Sequence, residues 1–235
     1  MKRAFLIGNG ISRRDIILES LRPHGEIFGC NALYREFTPD LLFCVDVRMI
    51  YEVAKSGFAR ENACTVFATW YDDFNTTYKN LDGIKYLDFN KERKLASGPS
   101  SLYKALEMEY EEIWLIGHDL KALKATEGEV INDIYAGTGN YRHVGAKSIN
   151  HETTFARELK NVMLEFKGKS NARVFRVMDE NCGTPPSIRN LFVEVDKKIF
   201  LDKFDIVCYN DETEIKKNVG NDADPSLLQN KRSTE

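Results

Sequence analysis

The apolar residues of this chain come in short, nearly unbroken runs, and that limits its fold more than any other feature. "AFLI" at Ala4–Ile7, "LLFCV" at Leu41–Val45 and "IWLI" at Ile113–Ile116, after Glu112, leave no polar alternate positions to face water. A strand written this way is covered on both faces, as in parallel sheets whose crossover helices lie on either side. Further strands are expected at Glu26–Cys30, Thr65–Ala68, Ile84–Leu87 and Arg173–Val177, with helix-like stretches between them. The pattern predicts an α/β fold: a three-layer sandwich with a mostly parallel sheet. With 235 residues and 43% hydrophobic content, one domain over 1–210 is expected, followed by a disordered tail over 211–235 that lacks hydrophobic periodicity.

Helix starts are legible. Ser12 with Asp15 resembles a capping box, with Ile16, Ile17 and Leu21 forming an apolar face behind it. Pro99 suits a first helical turn. From Asn150 to Phe166 the residues Phe155, Leu159, Val162, Met163 and Phe166 recur at helical spacing. The glycine-rich stretch between them, about 118–148, is long for a connection inside a compact domain and reads as a lid, with a short helix near Glu129–Tyr135.

Charge and cysteine usage narrow the partners. A net charge of −3 gives no strong nucleic-acid signal. No run approaches a transmembrane segment, and the apolar run after the basic start is too short for a signal-peptide core, so a cytoplasmic protein is expected. Five cysteines, Cys30, Cys44, Cys64, Cys182 and Cys208, occur without a CxxC and read as free thiols.

The candidate site gathers where strands end. Gly8, Asn9 and Gly10 close the first strand, Asn31 follows the second, Asp46 the third, Ser97 and Gly98 open a helix, and Gly117-His118-Asp119 follow "EIWLI". In a parallel sheet, loops at the carboxyl ends of the strands share one rim, where such folds bind ligands. Glycines allow a ligand's close approach, and a helix following Gly10 would present its amino end to phosphate. Gly-Asn-Gly is neither a GxGxxG fingerprint nor a Walker A loop, and a plain tight turn is the competing explanation.

These motifs, "GNG" with a following serine, "FGCN", "SGPSSLY" and "IWLIGHDL", in this order, resemble bacterial lipooligosaccharide sialyltransferases. "PDLLFCVDVR" and "IWLIGHDL" are closer still to the motility-accessory-factor and 6-hydroxymethylpterin pyrophosphokinase-like group, and "RVFRVMDENCGTPPSI" resembles the family's last strand and turn. The resemblance spans roughly residues 4 to 195. It implies a Rossmann-like glycosyltransferase moving a sugar, such as a nonulosonic acid, from a CMP-activated donor to an acceptor hydroxyl of unknown identity. Gly8, Asn9 and Gly10 would then meet phosphate and ribose, and Asn31 would bond the donor. Ser97 and Gly98 would hold base or sugar carboxylate, Asp46 and Asp119 would border the donor, and Tyr135 and Tyr141 would face the leaving phosphate.

For the catalytic base the family's histidine position is Ala146 here, leaving His143 and His151 as candidates, since imidazole titrates near neutrality. No cofactor is required by this reading. The one DxD is Asp222-Ala223-Asp224 in the expected tail, and Asp72-Asp73 read as a cap or solvated loop. Two rival readings stand beside it. One is a pyrophosphokinase with Mg²⁺ held by Asp46 and Asp119; the other is a non-catalytic nucleotide-binding module, suggested by Ala146. Self-association as a homo-oligomer is left open.

Overall fold

In the first strand, Phe5 and Ile7 enter one apolar cluster while Ala4 and Leu6 enter a second one on the opposite face, all at 0% exposure. Burial of Phe5, Leu6 and Ile7 is worth about 1.5–3 kcal/mol each, and a strand filled on both faces lies inside a layered sheet. The computed structural model describes residues 1–69, 81–125, 128–141 and 151–209. Among them are ten strands: β1 (Arg3–Ile7), β2 (Glu26–Cys30), β3 (Leu41–Cys44), β4 (Thr65–Ala68), β5 (Ile84–Tyr86), β6 (Glu112–Ile116), β7 (Leu123–Ala125), β8 (Gly128–Val130), β9 (Arg173–Met178) and β10 (Val193–Asp196). The α-helices are α1 (Val47–Ser56), α2 (Phe58–Glu61), α3 (Asn90–Arg93), α4 (Ser97–Glu107), α5 (His151–Glu165) and α6 (Lys197–Phe204).

Eight strands form one sheet in the order β10-β9-β6-β1-β2-β3-β4-β5, with every neighbouring pair parallel. The chain lays β2 to β5 outward on one side of β1, then returns to place β6, β9 and β10 on the other. The order therefore reverses between β1 and β6, which is the switch point where doubly wound sheets bind ligands. Residues of α4 and α5 fill one face of the sheet, and those of α1 and α6 the other, giving the three layers expected.

Two expectations are corrected. No α-helix follows Gly10; two 3-10 segments, Ile11–Arg13 and Leu18–His24, stand there instead. The backbone between them is drawn outward: the Ile17 amide donates to Val207 (3.0 Å), and Asp15 accepts from Tyr209 (2.8 Å). Pro23 sits in the second segment. No helix spans Glu129–Tyr135, where β8 pairs with β7 in an antiparallel hairpin and turns follow. The edge strand β10 and the helix α6 went unread, because β10 is mostly exposed and carries no buried-strand pattern. Asp72, Asp73, Asp222, Asp224 and the expected tail lie outside the described residues. Among the described residues no helix is long and apolar enough to cross a membrane.

Candidate functional site

The two glycines of Gly8-Asn9-Gly10 are explained by what lies against them. A Cβ on Gly8 would fall 2.4 Å from the Gly117 carbonyl oxygen, and one on Gly10 2.3 Å from the Asp119 Cγ. With the side chains gone, the ends of β1 and β6 lock together: Gly8 N–H donates to Ile116 (2.7 Å) and Gly10 N–H to Gly117 (2.8 Å). Gly117 takes φ +70°, a conformation natural to glycine. The Asp119 carboxylate fills the space over Gly10, where it accepts from the Ser12 amide (3.1 Å) and hydroxyl (2.5 Å). Burial raises its pKa, against the pull of those bonds.

Asn9 projects between the two glycines. Its Nδ2 donates to the Tyr141 hydroxyl (2.9 Å) and, at greater length, to the Cys30 carbonyl (3.4 Å). Its Oδ1 is enclosed and has no partner among the described residues. Asn31 holds φ +49°, which asparagine tolerates better than most residues. It links two other elements: Ser97 at the start of α4 donates to its Oδ1 (2.8 Å), and its Nδ2 donates to Asp46 before α1 (2.9 Å). Thus Asn9, Asn31, Asp46, Ser97, Gly98 and Asp119 border a single cleft of about 440 Å³ at the β1–β6 switch point.

The helix end at this cleft belongs to α4. Its first amides, on Ser97 and Gly98, have no acceptor within the helix, and Pro99 costs no bond in that turn. Gly98 is glycine because a Cβ would lie 2.6 Å from the His118 Cε1. Burial and the Arg176 charge push the His118 pKa down to about 4, so the ring stays neutral at ordinary pH, with its Nε2 enclosed and unpartnered among the described residues. Lys94 and Lys121 bring positive charge to the rim, and Asp133 and Glu158 bring negative.

The two tyrosines part company. Tyr141 reaches Asn9 and also accepts from the Ala32 amide (3.3 Å). Neither lines the cleft; the Tyr135 hydroxyl donates to Glu36 (2.5 Å) and accepts from the buried Arg13 (3.1 Å). His143 lies outside the described residues; His151 begins α5, and its side chain is not among those described. Among the described residues there is no group of three or more His, Cys, Asp or Glu able to hold a metal ion.

Two residues absent from the sequence reading matter here. Arg176, fully buried in β9, donates to the carbonyls of His118 (3.0 Å), Asp119 (2.9 Å) and Gly183 (2.6 Å), and so fixes the loop after β6. A cation in the middle of an apolar strand was the signal available. Asp133 lines the cleft from the lid, and nothing in "INDIY" set it apart from other lid acids.

Fold and cleft together define a doubly wound, Rossmann-like α/β domain with a cleft at the switch point. Among solved structures, the chain is similar to the sialyltransferase CST-II, as an asparagine-to-alanine variant in complex with CMP. Identity is 16%, covering 83% of this chain and 86% of that one, at a TM-score of 0.50. CstII from Campylobacter jejuni in complex with the substrate analogue CMP-3FNeuAc is similar at 18% identity, over 83% and 86% of the two chains, with a TM-score of 0.47. The monofunctional alpha-2,3-sialyltransferase Cst-I from Campylobacter jejuni gives 14% identity over 97% and 91%, with a TM-score of 0.49. The likeness is one of fold, and it agrees with the resemblance read from the motifs. No family model matches the chain, and no curated protein does.

Proposed function

We propose that this chain is a glycosyltransferase that moves a nonulosonic acid from a CMP-activated donor to an acceptor hydroxyl, with inversion at the anomeric carbon. One observation carries the reading: polar groups from five separate segments meet at one switch-point cleft, on the fold that CST-II uses with CMP. The enclosed Asn9 Oδ1 is an acceptor awaiting a hydroxyl or amino group of the donor. The free amides in the first turn of α4 offer donors to phosphate or sugar carboxylate, and Lys94 adds charge; the Ser97 hydroxyl, whose proton goes to Asn31, holds that side chain in place. Tyr141 does not line the cleft; its hydroxyl holds the Asn9 amide, and this reading gives it that positioning role. Tyr135 is assigned no such role, because Glu36 and Arg13 occupy its hydroxyl. The leaving group is a nucleoside monophosphate, so the reading requires no metal.

Thermal unfolding with CMP, UDP, GDP and ATP, each with and without Mg²⁺, tests this directly. A ligand at 100 Kd adds about 2.7 kcal/mol. CMP should stabilise without Mg²⁺, and Asn9→Ala should remove the shift. Release of CMP from CMP-N-acetylneuraminate then tests turnover. Stabilisation by ATP with Mg²⁺ and none by CMP would overturn the proposal in favour of phosphate-transfer chemistry. CMP binding without release would leave a binding module.

A further inference from the structure

Residues 131–133 line the cleft, and the chain is tied down on both sides of Asp133. Asn132 Oδ1 accepts from the Ile11 amide (2.9 Å), and its Nδ2 donates to the Asn181 carbonyl (3.2 Å). The Ile134 amide donates to the Asn9 carbonyl (2.8 Å). Tyr135 is anchored through Glu36 and Arg13. These bonds hold the backbone around Asp133, a residue of the cleft lining, beside the Gly-Asn-Gly turn. The Asp133 Oδ1 accepts from the Tyr135 amide (2.8 Å), which sets the plane of the carboxyl group. The same cleft holds the unpartnered Asn9 Oδ1, an independent mark of a missing ligand.

We propose that Asp133 is the general base of the transfer. Resting on the glycosyltransferase reading above, it gives the proton acceptor to a carboxylate rather than to His143 or His151. The acceptor hydroxyl gives its proton to Asp133 as its oxygen bonds to the anomeric carbon. The bond from that carbon to the donor phosphate oxygen breaks, and its electron pair leaves on CMP. A carboxylate beside a phosphate would repel it, so the favourable neighbour for Asp133 is the neutral hydroxyl on the acceptor side. The charged and titratable groups around it are Asp46 ahead of α1, Tyr141 in the lid, Arg13 after β1 and Arg35 after β2. Burial, with a smaller push from Asp46, raises Asp133 to about 7 against the pull of the Tyr135 amide and the two arginines. A base is most effective when its pKa lies near the working pH.

The test follows CMP release from CMP-N-acetylneuraminate with water as the acceptor, then with azide, which has no proton to lose. Asp133→Asn keeps an oxygen for the Tyr135 amide. It should lower kcat by about 100-fold or more and flatten its rise through neutral pH, while calorimetric CMP affinity stays within about twofold of the wild type. Azide should restore release in the variant far more than in the wild type. If Asp133→Asn does not melt as a folded protein, Asp133→Glu decides, with reduced kcat and a retained pH limb supporting the base. Wild-type kcat with an unchanged pH limb in the variant would overturn the assignment and leave the transferase standing, as would transfer of the limb's loss to His143→Ala or His151→Ala. Loss of CMP binding in Asp133→Asn would make it a donor-holding residue and also overturn it. A wild type that neither binds CMP nor releases it would remove both proposals together.

Discussion

Substituting Gly10 by alanine isolates one contact on which the switch point depends. Gly10 has φ −67° and ψ 152°, ordinary extended backbone open to any residue. Alanine there should gain about 0.4–1 kcal/mol by stiffening the unfolded chain. What forbids it is the Asp119 carboxyl, whose Cγ, Oδ2 and Oδ1 would stand 2.3, 2.4 and 2.5 Å from the new Cβ. Ordinary contact begins about an ångström further out, so the carboxyl must move and release both bonds from Ser12. Overpacking costs about 1–3 kcal/mol and hydrogen bonds to a charged group about 1.5–3 kcal/mol each. With partial relaxation and the backbone gain, a net loss of about 2–4 kcal/mol is expected. Asp119→Ala alone loses the same bonds but makes no clash. In the double variant the methyl group enters space the carboxyl has left and the backbone gain remains, so its stability should equal that of Asp119→Ala or exceed it by up to about 1 kcal/mol. Urea unfolding of the wild type, the two single variants and the double variant gives the coupling energy. Gly8→Ala serves as the control, because its Cβ would meet the Gly117 backbone oxygen, which truncation at position 119 does not remove. Additive losses from Gly10→Ala and Asp119→Ala would refute the reasoning.

Three further outcomes are expected. Asp133, raised from an ordinary 3.8 to about 7, favours its protonated form in the fold. Its contribution is therefore full below the unfolded pKa and is lost as pH rises from about 4 to 7, so the melting-temperature advantage of Asp133→Asn over the wild type should grow from pH 4 to pH 8; a constant difference would contradict this. Arg176→Ala leaves three loop carbonyls and Glu194 without their buried cation and should cost about 3–5 kcal/mol in urea unfolding, with Arg176→Lys recovering only part because it lacks the planar fork; a loss under about 1 kcal/mol would count against the loop-fixing role. Tyr135→Phe should lower stability by about 1–3 kcal/mol and leave calorimetric CMP affinity alone, whereas Tyr141→Phe should weaken it; equal effects on affinity would erase the distinction drawn between the two hydroxyls.

The seven strands expected from the sequence all formed; the central ones announce themselves locally because a strand buried on both faces must be apolar, while β5, an edge strand with Lys85 exposed, shows only the alternation of "IKYL". β10 did not announce itself: at the sheet edge only its partner strand demands pairing, and "VEVD" is mostly exposed. The stretch after Gly10 misled for the opposite reason. Its capping and periodicity favour a helix, but Ser12 bonds to Asp119, Arg13 to Gly8 and Glu36, and the backbone at Asp15 and Ile17 pairs with Tyr209 and Val207 instead of with its own next turn. The bonds that decide this come from residues more than 100 positions away or from the buried ion pair, and no local pattern encodes them.

The same distinction separates the legible part of the cleft from the rest. Asn9, Asn31, Ser97 and Asp119 could be placed together because topology brings strand ends to one rim, whatever the details of packing. The chemical state of the groups there depends on long-range burial, and that state argues for a ligand. The neutral His118 ring with an idle Nε2, the raised Asp119 and Asp133, and the orphaned Asn9 Oδ1 are each unfavourable to the fold alone. They lie within one cleft, while a buried glutamate at the opposite end of β6 is fully paired: Glu112 meets Arg3, Arg173 and the Trp114 indole, and its pKa is lowered. A cleft serving only to close the fold would be satisfied in the same way as Glu112. Donor binding should supply what the cleft lacks, so the stabilisation by CMP should fall most when the acceptor at Asn9 is removed.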